Sequence, residues 1–406
     1  MTWLEEASPW QLLAAVHLFV SVAFYLPSLV AALVRRLGSS GVEVQKDELV
    51  VTALKPLRGL DPSLEANLET FARLDAPDSF EVLLVVDDTR DEALPVARRV
   101  VKKFPHRFRI LVGTTPGFLN PKVASLCFAL PFAKNELIWV TDSNTETSDE
   151  HLRAQLGAWK AVQLEGRRPT LIHAPLAAVG GSGLGARFER LHLATSNSVS
   201  TETTQWGGFD AVVGKSLFFH RDDLAAVGGL ETFGSAGGED FLLGRAFHRA
   251  GAVRCAREAT RQVLAENLSV ADFWWRQARW AKLRQSMVPW LYAGLEHFTC
   301  FGTAWLWLLL GVLPWQLVGG VLALKALGDA ALLLAFVGEV RPLDLVVSPL
   351  KELLFLAAWA SAFFTREVSW RGRRLTVISG GAYGVELSPV TAGEPVSELG
   401  CPRPKW

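Results

Sequence analysis

The sequence predicts an α/β domain with a largely parallel sheet, joined at both ends to membrane-spanning segments. In the middle of the chain, short apolar runs typical of buried strands alternate with runs of helical spacing. Towards both ends the apolar residues instead form nearly uninterrupted stretches of about 20 residues, the length of a membrane span. We therefore expect an N-terminal anchor (1–37), a globular α/β domain (38–290), C-terminal membrane helices (291–366) and a tail (367–406).

The composition of the 406 residues excludes several classes of protein. Half of the residues are apolar, which excludes extended disorder. The 41 basic and 41 acidic residues cancel, so no net field attracts nucleic acid, and no nucleic-acid partner is expected. The four cysteines lie far apart without a Cys-x-x-Cys pair, so neither a disulfide framework nor a zinc site is expected. A membrane protein or a very apolar enzyme remains.

Residues 11–34 form the N-terminal anchor. This stretch is nearly all apolar and long enough to cross a hydrocarbon core of ~30 Å. Glu5 and Glu6 precede it and Arg35 and Arg36 follow it, whereas a cleavable signal peptide carries its basic residues first. Positive residues favour the cytoplasmic side, so the sequence predicts that the globular domain is cytoplasmic.

In the globular domain, predicted strands alternate with predicted helices along the chain. Asp-Pro-Ser at 61–63 is typical of a helix start, and apolar residues at Leu64, Leu68 and Phe71 follow with helical spacing. Such alternation indicates a parallel sheet. The predicted elements are strands over 49–54, 80–86, 108–112 and 137–140, and helices over 61–71, 93–104, 121–130 and 241–250.

Three acidic clusters stand out in this domain. Asp87 and Asp88 end the second strand, and Asp142 ends the fourth. The third cluster, Gly-Gly-Glu-Asp at 237–240, opens a helix. Ligands of such sheets bind beyond the carboxyl ends of the strands. A single acid at such a place is more often only a turn former or a helix cap, and that reading stays open for each cluster.

Two further motifs can be set aside. Gly-Lys-Ser at 214–216 resembles the end of a phosphate-binding P-loop, but that motif requires a glycine where Phe209 stands. Ser182 fails the spacing of a nucleophile elbow because Leu184 occupies the place of the second glycine. We expect neither motif to be functional.

Arg276 and Arg279 lie three residues apart on a predicted helix and therefore share one of its faces. Paired guanidinium groups suit a diphosphate. The helix is also basic and rich in tryptophan, which is typical of a helix lying on a membrane surface. The two interpretations are compatible, and both stay open.

Three candidate spans follow this helix, over 298–315, 316–337 and 343–364. Arginines at 366, 371, 373 and 374 indicate a cytoplasmic end, so the number of full crossings after the globular domain must be even. We expect the last span, which contains Lys351 and Glu352, to be interfacial or re-entrant. The tail from residue 380 onward is rich in Gly, Pro and Ser and is expected to lack regular structure.

The order of these motifs resembles that of the ceramide glucosyltransferases. That family carries the pattern Asp, Asp, Asp, (Gln/Arg)-x-x-Arg-Trp on a glycosyltransferase A fold, which is Rossmann-like with a mostly parallel sheet. The similarity extends over residues 49–374. The matching residues of this chain are, in order, Lys55-Pro56-Leu57-Arg58-Gly59, Asp88, Asn120-Pro121-Lys122, Asp142-Ser143, Glu239-Asp240 and Arg276-x-x-Arg279-Trp280.

The resemblance implies that the donor is a UDP-sugar. Asp88 would contact the uridine, and Lys55 and Lys122 would border the nucleotide. Asp142 would hold a divalent cation, Mg²⁺ or Mn²⁺, that bridges the diphosphate. Asn144 stands where the commoner Asp-x-Asp motif has its second acid.

The resemblance also implies the chemistry at the acceptor. Asp240 would be the general base that takes the proton of the acceptor hydroxyl. Arg276 and Arg279 would stabilise the leaving UDP, and Trp280 would shape the acceptor side. The acceptor would be a membrane lipid, which places the enzyme in the bilayer.

The expected function is transfer of glucose from UDP-glucose to the primary hydroxyl of ceramide, with inversion, giving glucosylceramide. One alternative is transfer of an N-acetylhexosamine to a hopanoid or to another lipid, because a related bacterial group shares the three acids. An alternative of another class is a non-catalytic membrane scaffold that binds nucleotide. A processive polysaccharide synthase is disfavoured because such enzymes usually have more spans.

Overall fold

The structure, a computed structural model, describes residues 7–38, 42–208, 211–370 and 373–387. The chain divides into two compact units. The sheet unit contains the described residues of 38–181 and 204–266, and the helical unit contains those of 7–37, 182–203 and 267–387. The domain bounds predicted from the sequence stay a prediction.

A seven-stranded sheet organises the sheet unit, in the order β3-β2-β1-β4-β8-β6-β9. Strand β8 runs antiparallel to its neighbours β4 and β6, and the other pairs are parallel. The order β3-β2-β1-β4 is that of a Rossmann-like fold, so the predicted α/β class with a mostly parallel sheet is confirmed. The strands are β1 (Val51–Leu57), β2 (Glu81–Val86), β3 (Phe108–Val112), β4 (Leu137–Thr141), β6 (Thr170–His173), β8 (Ser216–His220) and β9 (Ala252–Cys255).

Helices cover both faces of this sheet, and successive strand residues point to opposite faces. In β2, Val82 and Leu84 pack into one apolar core and Leu83 and Val85 into the other. A sheet buried on both faces reads as a continuous apolar run, which explains why its strands are visible in the sequence. The helices are α2 (Leu64–Ala72), α3 (Ala93–Lys103), α4 (Pro121–Ala129), α5 (Asp149–Leu164), α8 (Arg221–Ala226) and α9 (Glu239–Ala250).

The sheet unit also contains a second sheet, of three strands. Its order is β5-β10-β7, with β5 (Thr145–Glu146), β7 (Leu176–Val179) and β10 (Thr260–Val263). Because β5 pairs with β10, the chain that leaves β4 through Asp142 is fixed three residues later, at Thr145. This short strand was not predicted, since it depends on a partner more than 100 residues away.

In its described part, the helical unit contains six complete helices of at least eight residues and the first part, up to residue 203, of α7 (Asn197–Trp206). The six are α1 (Pro9–Leu37), α6 (Leu184–Leu191), α10 (Val270–Met287), α11 (Gly302–Leu309), α12 (Trp315–Phe336) and α13 (Pro342–Ser361). Among the described residues, α1 and α12 are long and apolar enough to cross a membrane, by length and composition. The predicted anchor and the second C-terminal span therefore exist as helices. Helix α13, which contains Lys351 and Glu352, does not meet this criterion, and its interfacial position stays a prediction.

The predicted span over 298–315 is wrong. Helix α11 has only eight residues, and a helix of that length extends about 12 Å, too short for a hydrocarbon core. It ends because Gly311 adopts a left-handed conformation (φ 65°), a common helix stop, and Pro314 follows.

The expectation of an irregular tail from residue 380 is also wrong for the part that the structure describes. Strands β11 (Glu367–Trp370), β12 (Arg373–Val377) and β13 (Tyr383–Leu387) form an antiparallel sheet. A turn rich in glycine precedes β13, and Leu375 and Tyr383 are buried. The glycines therefore belong to a turn, and the strand behind it was not predicted. The predicted tail beyond residue 387 lies outside the described residues.

A buried network of charged and polar groups joins three helices of the helical unit. The Asp329 carboxylate accepts hydrogen bonds from Lys325 Nζ (2.5 Å), Ser348 Oγ (2.5 Å) and Tyr25 OH (3.1 Å). Lys325 also lies 3.4 Å from Glu352. Because Tyr25 is on α1, Lys325 and Asp329 on α12 and Ser348 on α13, this network ties the three helices together.

Replacing Asp329 with leucine is expected to destabilise the protein by about 3–5 kcal/mol, because Lys325 is left buried without its main counter-charge. Thermal unfolding in detergent measures the effect. The double variant Lys325→Met/Asp329→Leu is expected to recover much of the loss, since neither charge then remains. An unchanged melting temperature in Asp329→Leu alone would contradict the role of the network.

Candidate active site

Asp142 lies directly after β4, at the carboxyl edge of the main sheet, between two lysines. Its Oδ1 is 3.0 Å from Lys122 Nζ and its Oδ2 is 2.8 Å from Lys215 Nζ. Burial alone would raise the pKa of this carboxyl, but the two ammonium groups outweigh burial and hold the pKa below its usual range. Asp142 is therefore ionised at neutral pH.

Lys122 sits in the first turn of α4, which Asn120 caps by accepting hydrogen bonds from the backbone N–H groups of Lys122 and Val123. Its Nζ also donates to Gly214 O (2.8 Å) and lies 3.2 Å from Glu239 Oε1. Burial disfavours the charge, but the nearby carboxylates raise the pKa of Lys122. The lysine thus bridges Asp142 and the start of α9.

Lys55, near the end of β1, is fully buried. Its Nζ donates to the backbone oxygens of Asp142 (2.6 Å) and Thr145 (3.3 Å), and it lies 4.1 Å from the centre of the Phe71 ring. Burial lowers the pKa of Lys55 to about 7. Through these hydrogen bonds the Lys55 side chain holds the loop that carries Asp142, and its predicted contact with a nucleotide stays a prediction.

Asp240 is the second residue of α9. Its Oδ2 accepts from the backbone N–H of Gly214 (2.7 Å) and its Oδ1 from that of Phe241 (2.8 Å). A Cβ at Gly214 would lie 2.9 Å from this carboxylate, so only glycine allows the approach. Burial, followed by the neighbouring Glu239, raises the pKa of Asp240 to about 6. Such a carboxyl is suited to proton transfer near neutral pH.

The two acids that follow β2, Asp87 and Asp88, differ in their partners and in their exposure. Asp87 accepts from Ser125 Oγ (2.7 Å) and lies 3.5 Å from Arg58 Nη1. Asp88 is more than half exposed and accepts from the backbone N–H of Arg90 (2.6 Å), which lowers its pKa. Asp88 is thus the accessible acid, and its contact with uridine stays a prediction.

The remaining predicted residues belong to the helical unit, on α10. Arg276 is buried, and its Nη1 donates to Glu189 Oε1 at 2.5 Å. Arg279 and Trp280 are half-buried. The ring of Trp280 lies 5.9 Å from that of His192, centre to centre. Arg276 therefore has a carboxylate partner that the sequence did not suggest.

The structure brings Lys55, Lys122, Asp142 and Asp240 to one edge of the sheet unit. Asp88 lies in the same unit after β2, and Arg276, Arg279 and Trp280 lie in the other unit. Sequence reasoning missed Lys215, because the Gly-Lys-Ser motif was judged only as a P-loop. Since Ser216 pairs with Thr141 across the antiparallel β4–β8 pair, Lys215 is placed beside Asp142. Strand pairing over that distance could not be read from local patterns.

Asp142 and Asn144 are suited to holding a cation. Lys215 Nζ is 2.8 Å from Asp142 Oδ2 and 2.9 Å from Asn144 Oδ1, so the two oxygens already converge on one positive charge. Among the described residues, no group of three or more His, Cys, Asp or Glu side chains converges as a metal cage. Mg²⁺ is commonly held by one or two carboxylates plus substrate phosphates. The donor set fits a cation shared with a bound diphosphate.

This arrangement defines a class of protein. A Rossmann-like sheet whose carboxyl edge gathers lysines, an ionised carboxylate and a carboxyl of raised pKa is typical of enzymes that bind a phosphorylated substrate and move a proton. Residues 14–383 match glycosyl transferase family 21, and the chain belongs to this family. The predictions of an enzyme and of its family are therefore confirmed.

The chain is also similar to curated ceramide glucosyltransferases. Over 247 residues the chain is 27% identical to ceramide glucosyltransferase 1 of Caenorhabditis elegans, covering 59% of this chain and 50% of the relative. Over 291 residues it is 26% identical to ceramide glucosyltransferase of Komagataella phaffii, covering 59% and 57%. The chain thus spans about half the length of the curated relatives it matches.

Among solved structures, the chain is similar to mannosyltransferase PcManGT from Pyrobaculum calidifontis in complex with GDP-Man and Mn²⁺. The TM-score is 0.47 at 19% identity, over 87% of this chain and 99% of that chain.

Proposed function

We propose that the protein transfers glucose from UDP-glucose to the primary hydroxyl of ceramide, with inversion, giving glucosylceramide. The observation that carries the proposal is the edge of the sheet unit, where ionised Asp142, two lysines and Asp240 meet in a chain of glycosyl transferase family 21. The ceramide glucosyltransferase relatives support the acceptor, and they are similar over 59% of this chain.

The donor would bind at the carboxyl edge of the sheet. Asp142, with Asn144, would hold Mg²⁺ or Mn²⁺ against the diphosphate, and this cation supplies positive charge as the bond to UDP breaks. Lys122 and Lys215 add positive charge at the same place. Asp88 would contact the uridine, and Lys55 would border the nucleotide by holding the loop that follows β4.

The transfer breaks the bond between the sugar and the diphosphate while the acceptor oxygen forms a new bond to the sugar. Asp240 takes the proton of that hydroxyl, for which its raised pKa is suited. Arg276 and Arg279 would stabilise the negative charge that develops on UDP, with Trp280 on the acceptor side. The Glu189 carboxylate would orient Arg276.

The acceptor places the enzyme in a membrane. Helices α1 and α12 have the length and composition to anchor it. The two arginines in the last turn of α1, Arg35 and Arg36, support a cytoplasmic position for the sheet unit. The bilayer and its lipid are thus the expected partners, and no nucleic acid is expected.

Incubation of the purified enzyme with UDP-glucose and ceramide, followed by mass spectrometry of the lipids, tests the proposal. A hexosylceramide is the expected product. Parallel reactions contain UDP-N-acetylglucosamine and a hopanoid. A glycosylated hopanoid without any hexosylceramide would overturn the ceramide assignment, and nucleotide binding without transfer to any lipid would favour the scaffold.

The raised pKa of Asp240 predicts the acid side of the pH profile. The carboxyl must be ionised to accept a proton, so kcat/KM is expected to rise with pH, with a midpoint near pH 6, and then to level off. Glu239→Gln removes a negative neighbour that raises this pKa, so the midpoint is expected to move to lower pH. An identical profile in Glu239→Gln would contradict this origin of the pH dependence.

A further inference from the structure

Three polar side chains of the helical unit are buried without satisfying their hydrogen-bonding groups. Within the part of the chain that the structure describes, Glu189 Oε2, His192 Nδ1 and both amide atoms of Gln277 have no hydrogen-bond partner. The three residues are 0%, 7% and 1% exposed. Buried polar atoms in proteins nearly always have a partner, bound water included, so these three side chains form a place where a bound molecule can supply the missing hydrogen bonds.

The three side chains lie along one interface between α10 and the segment that contains α6. Arg276 of α10 contacts Glu189 at 2.5 Å, and His192 follows Glu189 by one helical turn. The ring of His192 lies 6.3 Å from that of Phe273 and 5.9 Å from that of Trp280. Gln277 lies four residues after Phe273 and three before Trp280, which places it on the same face of α10.

The backbone at His192 is also unusual. Residues His192–Ser196 form a π-helical turn between α6 and α7. Single π turns inside α-helices are rare and occur frequently at functional sites. The widened turn begins at His192, the residue whose Nδ1 lacks a partner.

The chemistry of the cluster limits what it can bind. Glu189 is paired with Arg276, and burial and nearby positive charges lower the pKa of His192, so its imidazole is neutral. The three side chains themselves therefore carry no positive charge that would bind an anionic headgroup. They offer one carboxylate oxygen, one imidazole nitrogen and an amide that both donates and accepts. Phe273, Trp280 and Phe355 supply aromatic surface around His192.

We propose that Glu189, His192 and Gln277 bind the amide and hydroxyl groups of a neutral amide lipid, the acceptor. The Gln277 amide forms hydrogen bonds with the amide of the lipid, while Glu189 and His192 form hydrogen bonds with its hydroxyl groups. The inference rests on the proposed function and deepens it, because it assigns acceptor recognition to a site that contains Trp280 of the motif.

Gln277→Leu tests the inference through stability and ligand binding. Without lipid, the melting temperature in detergent is expected to stay equal or rise, since the substitution removes a buried amide that lacks partners. A glutamine with a purely structural role would lower it. Addition of a short-chain ceramide is expected to raise the melting temperature of the wild type but not of the variant. Gln285→Leu, a half-buried position on the same helix, serves as the matched control.

Kinetics supply the second measurement. The kcat/KM of Gln277→Leu for ceramide is expected to fall at least about tenfold, because a site built to hydrogen-bond its substrate discriminates strongly. Its KM for UDP-glucose and its rate with diacylglycerol, which has a hydroxyl but no amide, are expected to change little. For His192→Phe we likewise expect a lower kcat/KM for ceramide and an almost unchanged KM for UDP-glucose.

These measurements distinguish a failure of the acceptor-site inference from a failure of the proposed function. If the wild type binds and glucosylates ceramide but both variants keep the ceramide-induced shift and the ceramide KM, the cluster holds only water and this inference alone is overturned. If the wild type neither binds nor glucosylates ceramide, the proposed function fails with it.

Discussion

Asp240→Asn is expected to reduce turnover about 10³-fold, because the side chain keeps its shape but loses the ability to accept a proton. Since this carboxylate accepts hydrogen bonds from the backbone at Gly214 and Phe241, asparagine can retain at least one of them. The fold and the affinity for UDP are therefore expected to survive. Lipid mass spectrometry measures turnover, and calorimetric titration measures UDP binding.

The control for Asp240→Asn is Asp222→Asn. Asp222 lies in the first turn of α8, as Asp240 does in α9, but it is exposed. Its replacement is expected to leave turnover unchanged. Wild-type turnover in Asp240→Asn would refute the assignment of Asp240 as the base, whereas loss of both turnover and UDP binding would indicate a structural role.

Asp142→Asn is expected to reduce kcat/KM roughly 100-fold or more, mainly through donor binding and charge stabilisation. The substitution removes the negative charge between Lys122 and Lys215 and replaces the carboxylate ligand of the proposed cation with a neutral amide. Mn²⁺ is therefore expected to strengthen UDP binding in the wild type and to have little effect in the variant. Titrations of UDP with and without Mn²⁺ measure this difference.

Asp75→Asn is the matched control for Asp142→Asn. Asp75 is also paired with a lysine, Lys46, but both side chains are more than half exposed. Exposed pairs contribute little, so activity and the Mn²⁺ effect are expected to remain at wild-type values. An undiminished Mn²⁺ effect in Asp142→Asn would exclude Asp142 as the cation ligand.

Much of the sheet unit could be predicted from local patterns. Strand β3 was predicted with its observed bounds, and β2, α3 and α4 with small shifts. These elements are buried on one or both faces, so their apolar spacing is strong. The short strand β5 was missed because two residues carry no periodic signal, and its pairing with β10 is the only reason it forms.

The candidate site was predicted less completely. Asp142 and Asp240 were visible because one ends a strand and the other opens a helix. Lys215 was seen only as part of an incomplete P-loop motif, and its contact with Asp142 arises from the antiparallel β4–β8 pair. Glu189 was not predicted at all, since nothing near it in the sequence indicates a partner on α10.

The sequence by itself determined the class of this protein: an α/β unit with apolar helices at both ends and acids at strand ends. These features are local, because the hydrophobic period and the residues after each strand depend on neighbours in the chain. The tertiary structure alone decided which charges meet, and burial decided their pKa values. Two lysines keep Asp142 ionised, whereas burial and Glu239 raise the pKa of Asp240 to about 6. Two aspartate side chains thus acquire different chemistry from their surroundings.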